Sequence, residues 1–413
     1  MEQIKKDPRS IRISDYHYEL PQEKIAVFPS DERDSSRLLI YKEGSISESN
    51  YRSIANELTA GSLLFFNNTK VINARLEFKN SNGGRIEVFC LEPSENKDMA
   101  QAMAACGSSA WNCMVGGLSK WREEDLLLEQ NGIRIKVSKQ EVTSQSVLVQ
   151  FTWQPQEKSF AEILHEVGAL PIPPYLKRDT EAIDIQRYQT VYAKHEGSVA
   201  APTAGLHFTE RVFADLKAHH CEVEYLTLHV GAGTFKPVKS EQMEGHDMHA
   251  ETIDVQRSVI HKIAGHSGSR VAVGTTSMRT LESLYWIGLK LAQQPTIRPE
   301  QLDLKQWEVY EMQEQTLSLS ESMQHLLHWM DRFELDRLIC STSILIAPGY
   351  DFKVVDALVT NFHQPGSTLI LLVAAFVGED WRKIYDYALH HHFRFLSYGD
   401  GSLLFRNKNN ETT

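Results

Sequence analysis

The sequence predicts an α/β body interrupted by an all-β unit, and two observations carry that reading. Between residues 62 and 153 the apolar residues come in short alternating runs: 63–66, 85–91 after Asn82-Gly83-Gly84, 133–137 after Asn131-Gly132, and 147–153. Period-two runs cut by Asn-Gly and Gly-Gly turns read as strands, and several at this spacing make a small barrel or sandwich. From Ser159 onward strand-like and helix-like segments alternate instead: 222–230, 254–264, 271–273, a helix from about Ser277, then 353–359 and a helix from about Thr368. Such alternation implies helices layered on a sheet.

The elements follow in order. Ser159 and Glu162 make a capping box, and Phe160, Ile163, Leu164 and Val167 form a helical stripe that Gly168 ends. Residues 170–175 contain Pro171, Pro173 and Pro174. Each proline fixes its own φ and displaces its predecessor from the helical region, so this run is an extended spacer or wall. Segment 284–341 is rich in Gln, Glu and Leu, with Pro295 and Pro299 early and a stripe of Met323, Leu326, Leu327, Met330 and Phe333 later. One stripe of this length is packed core more often than a free partner helix, so a helical insertion lying on the body is predicted. No internal repeat is visible.

A chain of 413 residues is long enough for two or three domains. With 42% apolar and 23% charged residues, collagen, a coiled-coil rod and a wholly disordered chain are excluded. The 43 Lys and Arg against 54 Asp and Glu leave a net charge of −11, so any contact with nucleic acid needs a local basic patch. Cys90, Cys106, Cys113, Cys221 and Cys340 are odd in number and form no C-x-x-C pair, which suits reduced thiols. Residues 1–8 are polar, and the longest apolar run, 369–377, is far below the roughly 20 residues of a spanning helix. A cytoplasmic location is expected.

Three glycine-containing loops stand where strands should end: 201–208 with Thr203, Gly205 and His207; 229–235 with His229, Gly231, Gly233 and Thr234; and 273–279 with Gly274, Thr275, Thr276, Ser277 and Arg279. The carboxyl ends of strands are where α/β sheets bind ligands. Glycine admits close approach, hydroxyls recognise polar groups, and a helix starting near Thr276 offers N–H groups to an anion. A fourth stretch, 356–368, carries Asp356, Asn361 and His363 into a turn that Ser367 or Thr368 caps. The spacing matches neither a Walker A loop nor G-x-G-x-x-G. The 17 histidines include His246, His249 and the run 390–392, but no third and fourth ligand follow at zinc spacing, so no metal is expected. A G-x-S-x-G elbow is absent from the sequence as well.

In combination these loops resemble one family, S-adenosylmethionine:tRNA ribosyltransferase-isomerase of queuosine synthesis. The matching stretches are 32–39, 66–72, 170–178, 188–192, 198–209, 227–238, 248–251, 274–283, 348–368 and 397–400, spread over 13–405 apart from the insertion. The resemblance implies an α/β main domain of residues 1–72 and 155–413, with the helical insertion at about 284–341, and an inserted small antiparallel β-barrel domain at 73–154. It also implies the reaction. The ribosyl part of S-adenosylmethionine passes to 7-aminomethyl-7-deazaguanine at the wobble position of a tRNA with a GUN anticodon. There it isomerises to the epoxycyclopentanediol of epoxyqueuosine, with adenine and methionine released. S-adenosylmethionine is then a consumed substrate, no true cofactor is needed, and a monomer or weak homo-oligomer is expected.

Such chemistry needs a base, an acid for departing adenine, recognition of the ribose hydroxyls and a clamp on the methionine carboxylate. In the matched loops the acid/base candidates are His207, His229 and His363, a residue type that titrates near neutrality. Asp356 is the catalytic carboxylate candidate. The candidate substrate-binding set is Thr203, Gly205, Gly231, Gly233, Thr234, Glu251, Gly274, Thr275, Thr276, Ser277, Arg279 and Asn361. For tRNA the candidates are Arg33, Arg37, Lys70, Arg75, Lys177, Arg178 and Arg187 on phosphates, with Tyr175 or Tyr188 stacking on an unstacked base. Departures from the family pattern fall at Asn73, 116–124, Thr252, Gln364 and Gly366. They leave open a relative that keeps the nucleoside pocket but serves another acceptor or only binds.

Overall fold

The computed structural model describes residues 7–94, 99–122, 125–143, 146–231, 238, 240–313 and 315–406. The chain begins its sheet with an antiparallel pair, β1 (Arg37–Lys42) and β2 (Ser45–Asn50). Next come β3 (Leu63–Asn67), buried along its whole length, and the short β4 (Thr69–Val71).

The all-β unit is a barrel. Its strands are β5 (Arg75–Lys79), β6 (Arg85–Pro93), β7 (Ser108–Gly116), β8 (Leu126–Gln130), β9 (Ile133–Val142) and β10 (Val147–Gln154). They pair antiparallel in the order β5-β6-β7-β10-β9-β8, and β8 returns against β5 so that the barrel nearly closes. Burial alternates residue by residue along β10, as the period-two sequence requires. α1 (Met99–Ala104) is an excursion between β6 and β7, while α2 (Phe160–Val167) closes one mouth. The Ser159–Glu162 capping box forms, and Phe160 packs on Trp111, Phe151 and Trp153 with ring centroids 5.2, 5.2 and 5.4 Å away.

The body resumes with α3 (Ala182–Arg187), β11 (His195–Ser198), α4 (Glu210–Ala218), β12 (Glu222–His229), β13 (Glu251–Gln256) and α5 (Arg257–Gly265). Then come β14 (Arg270–Val273), α6 (Thr275–Gln293), β15 (Asp303–Leu304), α7 (Glu308–Glu311), α8 (Leu319–Arg332) and β16 (Arg337–Thr342). The chain closes with β17 (Ala357–Asn361), α9 (Thr368–Val377), α10 (Asp380–His390) and β18 (Gly401–Phe405). Among the described residues the main sheet has ten strands in the order β15-β16-β13-β12-β3-β14-β17-β18-β1-β2. Its middle, β12, β3, β14 and β17, is parallel, so four carboxyl ends share one edge. Fully buried strands such as β3 and β17 are what a parallel sheet covered on both faces demands.

One face is covered by α6 and α8, the other by α4 and the turn at Tyr51–Glu57. The 284–341 segment is therefore more than a helical insertion. Residues 284–293 belong to α6 of the body, and β15 and β16 join the sheet edge. The sequence reading missed β16 because its buried residues alternate with exposed ones over six positions only. The apolar stripe behaves as predicted: Met323, Leu326, Leu327 and Met330 sit in the core. Among the described residues no helix is long and apolar enough to cross a membrane.

Candidate active site

The shared carboxyl edge holds a solvent-open cleft of about 770 Å³. Four pieces of chain build it. β17 delivers Thr360 and Asn361 and runs on into Phe362, His363 and Gln364; β14 turns through Gly274 into Thr275 and Thr276 of α6. Gly274 has φ +94°, a conformation that side chains rarely adopt, which places the first turn of α6 directly over the strand end. β11 leads to the wall 200–204, with Thr203. The proline-rich run supplies Tyr175, opposite Leu396 and Ser397, and Val230 follows β12. Tyr175 Oη hydrogen-bonds Ser397 Oγ, so the proline segment is a wall of the site and not a spacer. No charged side chain lines the cleft among the described residues.

Of the residues expected from sequence, Tyr175, Tyr188, Thr203, Gly274, Thr275, Thr276, Asn361 and His363 line this cleft. His363 Nε2 lies 2.9 Å from Thr360 Oγ1, and its backbone is fixed at both ends by Tyr385 and Tyr18 hydroxyls. Burial pulls its pKa down to about 3, so the ring is neutral at physiological pH. His207 does not reach the cleft. It lies behind Asn361, stacked on Tyr51 with centroids 4.3 Å apart, and burial likewise lowers its pKa to about 3. The expectation that both titrate near neutrality is corrected by this desolvation. His229 Nδ1 sits 3.2 Å from Thr69 Oγ1.

Asp356 is at the wrong end of its strand. It precedes β17 by one residue, and its carboxylate accepts from Arg270 N at 3.0 Å. Five strand steps, about 16 Å, separate it from Asn361. Gly205 packs under Tyr192, Ser277 bonds back to Val273 O at 2.8 Å, and Gly231 opens onto space beside Val230. Glu251 and Arg279 form a buried ion pair outside the cleft lining, with Arg279 Nε also on Ile344 O at 3.3 Å. Arg279 Nη2 is buried without a hydrogen-bond partner among the described residues. Gly233 and Thr234 lie outside the described residues.

Of the expected tRNA contacts, Arg33, Arg178 and Arg187 are engaged within the fold, while Arg37, Lys70, Arg75 and Lys177 sit in surface pairs. Arg33 donates to Gln186 O at 2.6 Å and Leu206 O at 3.0 Å, and Arg187 to Ser30 O at 2.6 Å and Asp31 O at 3.1 Å. Arg178 pairs with Asp184, Arg37 with Glu48, Arg75 with Glu87 and Lys70 with Glu196, while Lys177 donates to Gln22. Tyr188 is fully buried, edge-on to Tyr398, and lines the cleft together with Tyr175. The histidine run caps α10, with His390 and His391 on the carbonyls of Asp386 and Tyr387. Thr360, Phe362 and Gln364 lie within the 356–368 stretch that the sequence offered as a pocket wall, whereas Leu396, just before the matched 397–400 stretch, was not anticipated.

A sheet of this topology with a cleft at the carboxyl edge of its parallel strands has the architecture in which α/β proteins bind small ligands. The chain belongs to the queuosine biosynthesis protein family, whose model matches residues 13–404. It is an enzyme of tRNA modification, a transferase. Among solved structures it is similar to the S-adenosylmethionine tRNA ribosyltransferase from Thermotoga maritima. Identity is 27%, the match covers 95% of this chain and 100% of that one, and the TM-score is 0.46.

Proposed function

We propose that the protein transfers and isomerises the ribosyl moiety of S-adenosylmethionine onto 7-aminomethyl-7-deazaguanine at the wobble position of tRNA, giving epoxyqueuosine, adenine and methionine. The observation that carries this reading is a cleft at the carboxyl edge whose Asn361 Oδ1 and Thr276 Oγ1 are buried and have no hydrogen-bond partner among the described residues. Buried polar atoms are otherwise almost always paired, so a polar ligand is their natural partner.

In this assignment the ribose hydroxyls meet Thr203 and Thr276, and the free N–H groups at the start of α6, a nineteen-residue helix, face the methionine carboxylate. Tyr175 and Phe362 provide apolar surface for a base. His363, neutral and therefore able to accept, is the base for the proton next to the sulfonium, and His229 is the second acid/base residue. Asp356 has no part in the chemistry.

Mass spectrometry of nucleosides tests the proposal: tRNA carrying 7-aminomethyl-7-deazaguanine, incubated with the protein and S-adenosylmethionine, should yield epoxyqueuosine with stoichiometric adenine. His363→Ala should lower kcat by about 10²–10⁴ with a smaller change in KM. Near-normal turnover of that variant would remove His363 from the mechanism.

A further inference from the structure

The Asn361 amide has a fixed polarity. Its Nδ2 lies 3.2 Å from His207 Nε2 and 3.4 Å from the Asp400 carbonyl oxygen. A carbonyl only accepts, so the amide must turn its nitrogen to that side and leave Oδ1 on the other. Oδ1 is buried, has no hydrogen-bond partner among the described residues, and belongs to a residue that lines the cleft.

His207 completes the lock. Burial keeps the ring neutral, and the nitrogen facing the donor Asn361 Nδ2 must accept, so the remaining N–H is left for the Arg33 backbone carbonyl. A neutral ring with one N–H spent on that carbonyl presents a lone pair at the other nitrogen. We assign Nε2 as that acceptor, facing Asn361 Nδ2. The stack on Tyr51 holds the ring in plane. Rotating the amide by 180° would set Oδ1 against two acceptors at once. A chain therefore runs from Asn361 Nδ2 into His207 and from His207 into the Arg33 carbonyl, and it ends in a single acceptor at the cleft.

We propose that Asn361 Oδ1 selects an exocyclic amine on a purine-type base, and that His207 is the positioning residue that keeps this oxygen aimed into the cleft. The identity of the candidate bases rests on the function proposed above: the adenine of S-adenosylmethionine or the 7-deazaguanine of the tRNA. Both present an exocyclic amine. A substrate ammonium is a poorer partner, since among the described residues no carboxylate lines the cleft to balance it. A ribose hydroxyl both donates and accepts and is served as well by the threonines. A fixed acceptor discriminates most strongly against a ligand that lacks the donor, because the acceptor is then left buried and unpaired.

Dissociation constants measured by calorimetry on two ligand pairs test this. One pair is adenosine and purine riboside, the other 7-deazaguanosine and 7-deazainosine; within each pair the second member lacks the exocyclic amine. The wild-type protein should favour the amine by tenfold or more in one pair, which identifies the base, and stay near unity in the other. Asn361→Leu should bring the ratio to one. His207→Leu should reduce it severalfold, and His207→Gln, whose amide oxygen restores an acceptor, should recover it. Simple loosening of the site would weaken both members of a pair alike and leave the ratio unchanged. A wild-type ratio near one in both pairs, or no binding of either pair, overturns the proposal. So does an unchanged ratio in folded His207→Leu protein. Because the assay needs no turnover, an intact ratio with no epoxyqueuosine formed would count against the transfer reaction alone.

Discussion

Arg178 grips Asp184 with both terminal guanidinium nitrogens, at 2.6 and 2.7 Å, and the same carboxylate accepts from Tyr398 Oη at 2.6 Å. This pair ties the proline-rich wall to the 396–400 turn, so it sets the width of the cleft that Tyr175 and Ser397 bridge. Burial pushes the Asp184 carboxyl up, but hydrogen bonds from Arg178 and Tyr398 outweigh it and hold the group below the usual carboxylate range. Asp184→Ala leaves the nearly buried Arg178 unpaired and should cost about 3–5 kcal/mol of stability in urea unfolding. An effect under 1 kcal/mol would mean that water relieves Arg178 and that the wall is held by packing.

Stability should fall on mild acidification. His207 and His363 have folded pKa values of about 3 against an ordinary value of 6.5, so below pH 6.5 the unfolded chain binds more protons than the folded one. The stabilisation is complete above pH 6.5 and is lost as pH falls toward 3. At pH 5 each histidine costs on the order of 2 kcal/mol relative to pH 7.5. Urea midpoints at the two pH values check this, and His207→Phe should remove about half of the histidine contribution. An identical pH dependence in that variant would contradict a neutral buried His207.

Arg33 should behave as a structural residue. It donates to backbone carbonyls at the end of α3 and beside His207, and Arg33→Ala should destabilise by about 1–3 kcal/mol. Thermal melting and the salt dependence of tRNA binding separate the roles. A salt slope lowered by about one unit without loss of stability would return Arg33 to the phosphate contacts.

Leu326 lies in the α8 stripe and is fully buried, so Leu326→Ala should cost about 2–5 kcal/mol and leave the oligomeric state unchanged. Dissociation of an oligomer without loss of protomer stability would instead make that stripe a partner surface.

What was legible in the sequence was local. The Ser159–Glu162 cap, the Phe160, Ile163, Leu164 and Val167 stripe and the barrel alternation depend on neighbours a few residues apart, and all are present. The position of Gly366, a departure from the family pattern, has one local cause, a φ of +66°, and one distant cause, since a Cβ would meet His17 Nε2 at 2.6 Å. What was hidden depends on distant chain. Asp356 and Asn361 flank opposite ends of one strand run, yet only the sheet decides which end faces the cleft. Arg33 resembles a free surface cation until Gln186 and Leu206, 153 and 173 residues away, claim it. His207 resembles a catalytic base until Tyr51 and Asn361 enclose it and remove the water that would let it titrate.

The most direct test of the central claim is nucleoside mass spectrometry of tRNA bearing 7-aminomethyl-7-deazaguanine after incubation with the protein and S-adenosylmethionine. The account predicts epoxyqueuosine and adenine in equal amounts, with no adenine released when the tRNA is omitted. Folded protein that binds S-adenosylmethionine yet forms no modified nucleoside would contradict it and assign the cleft to another acceptor.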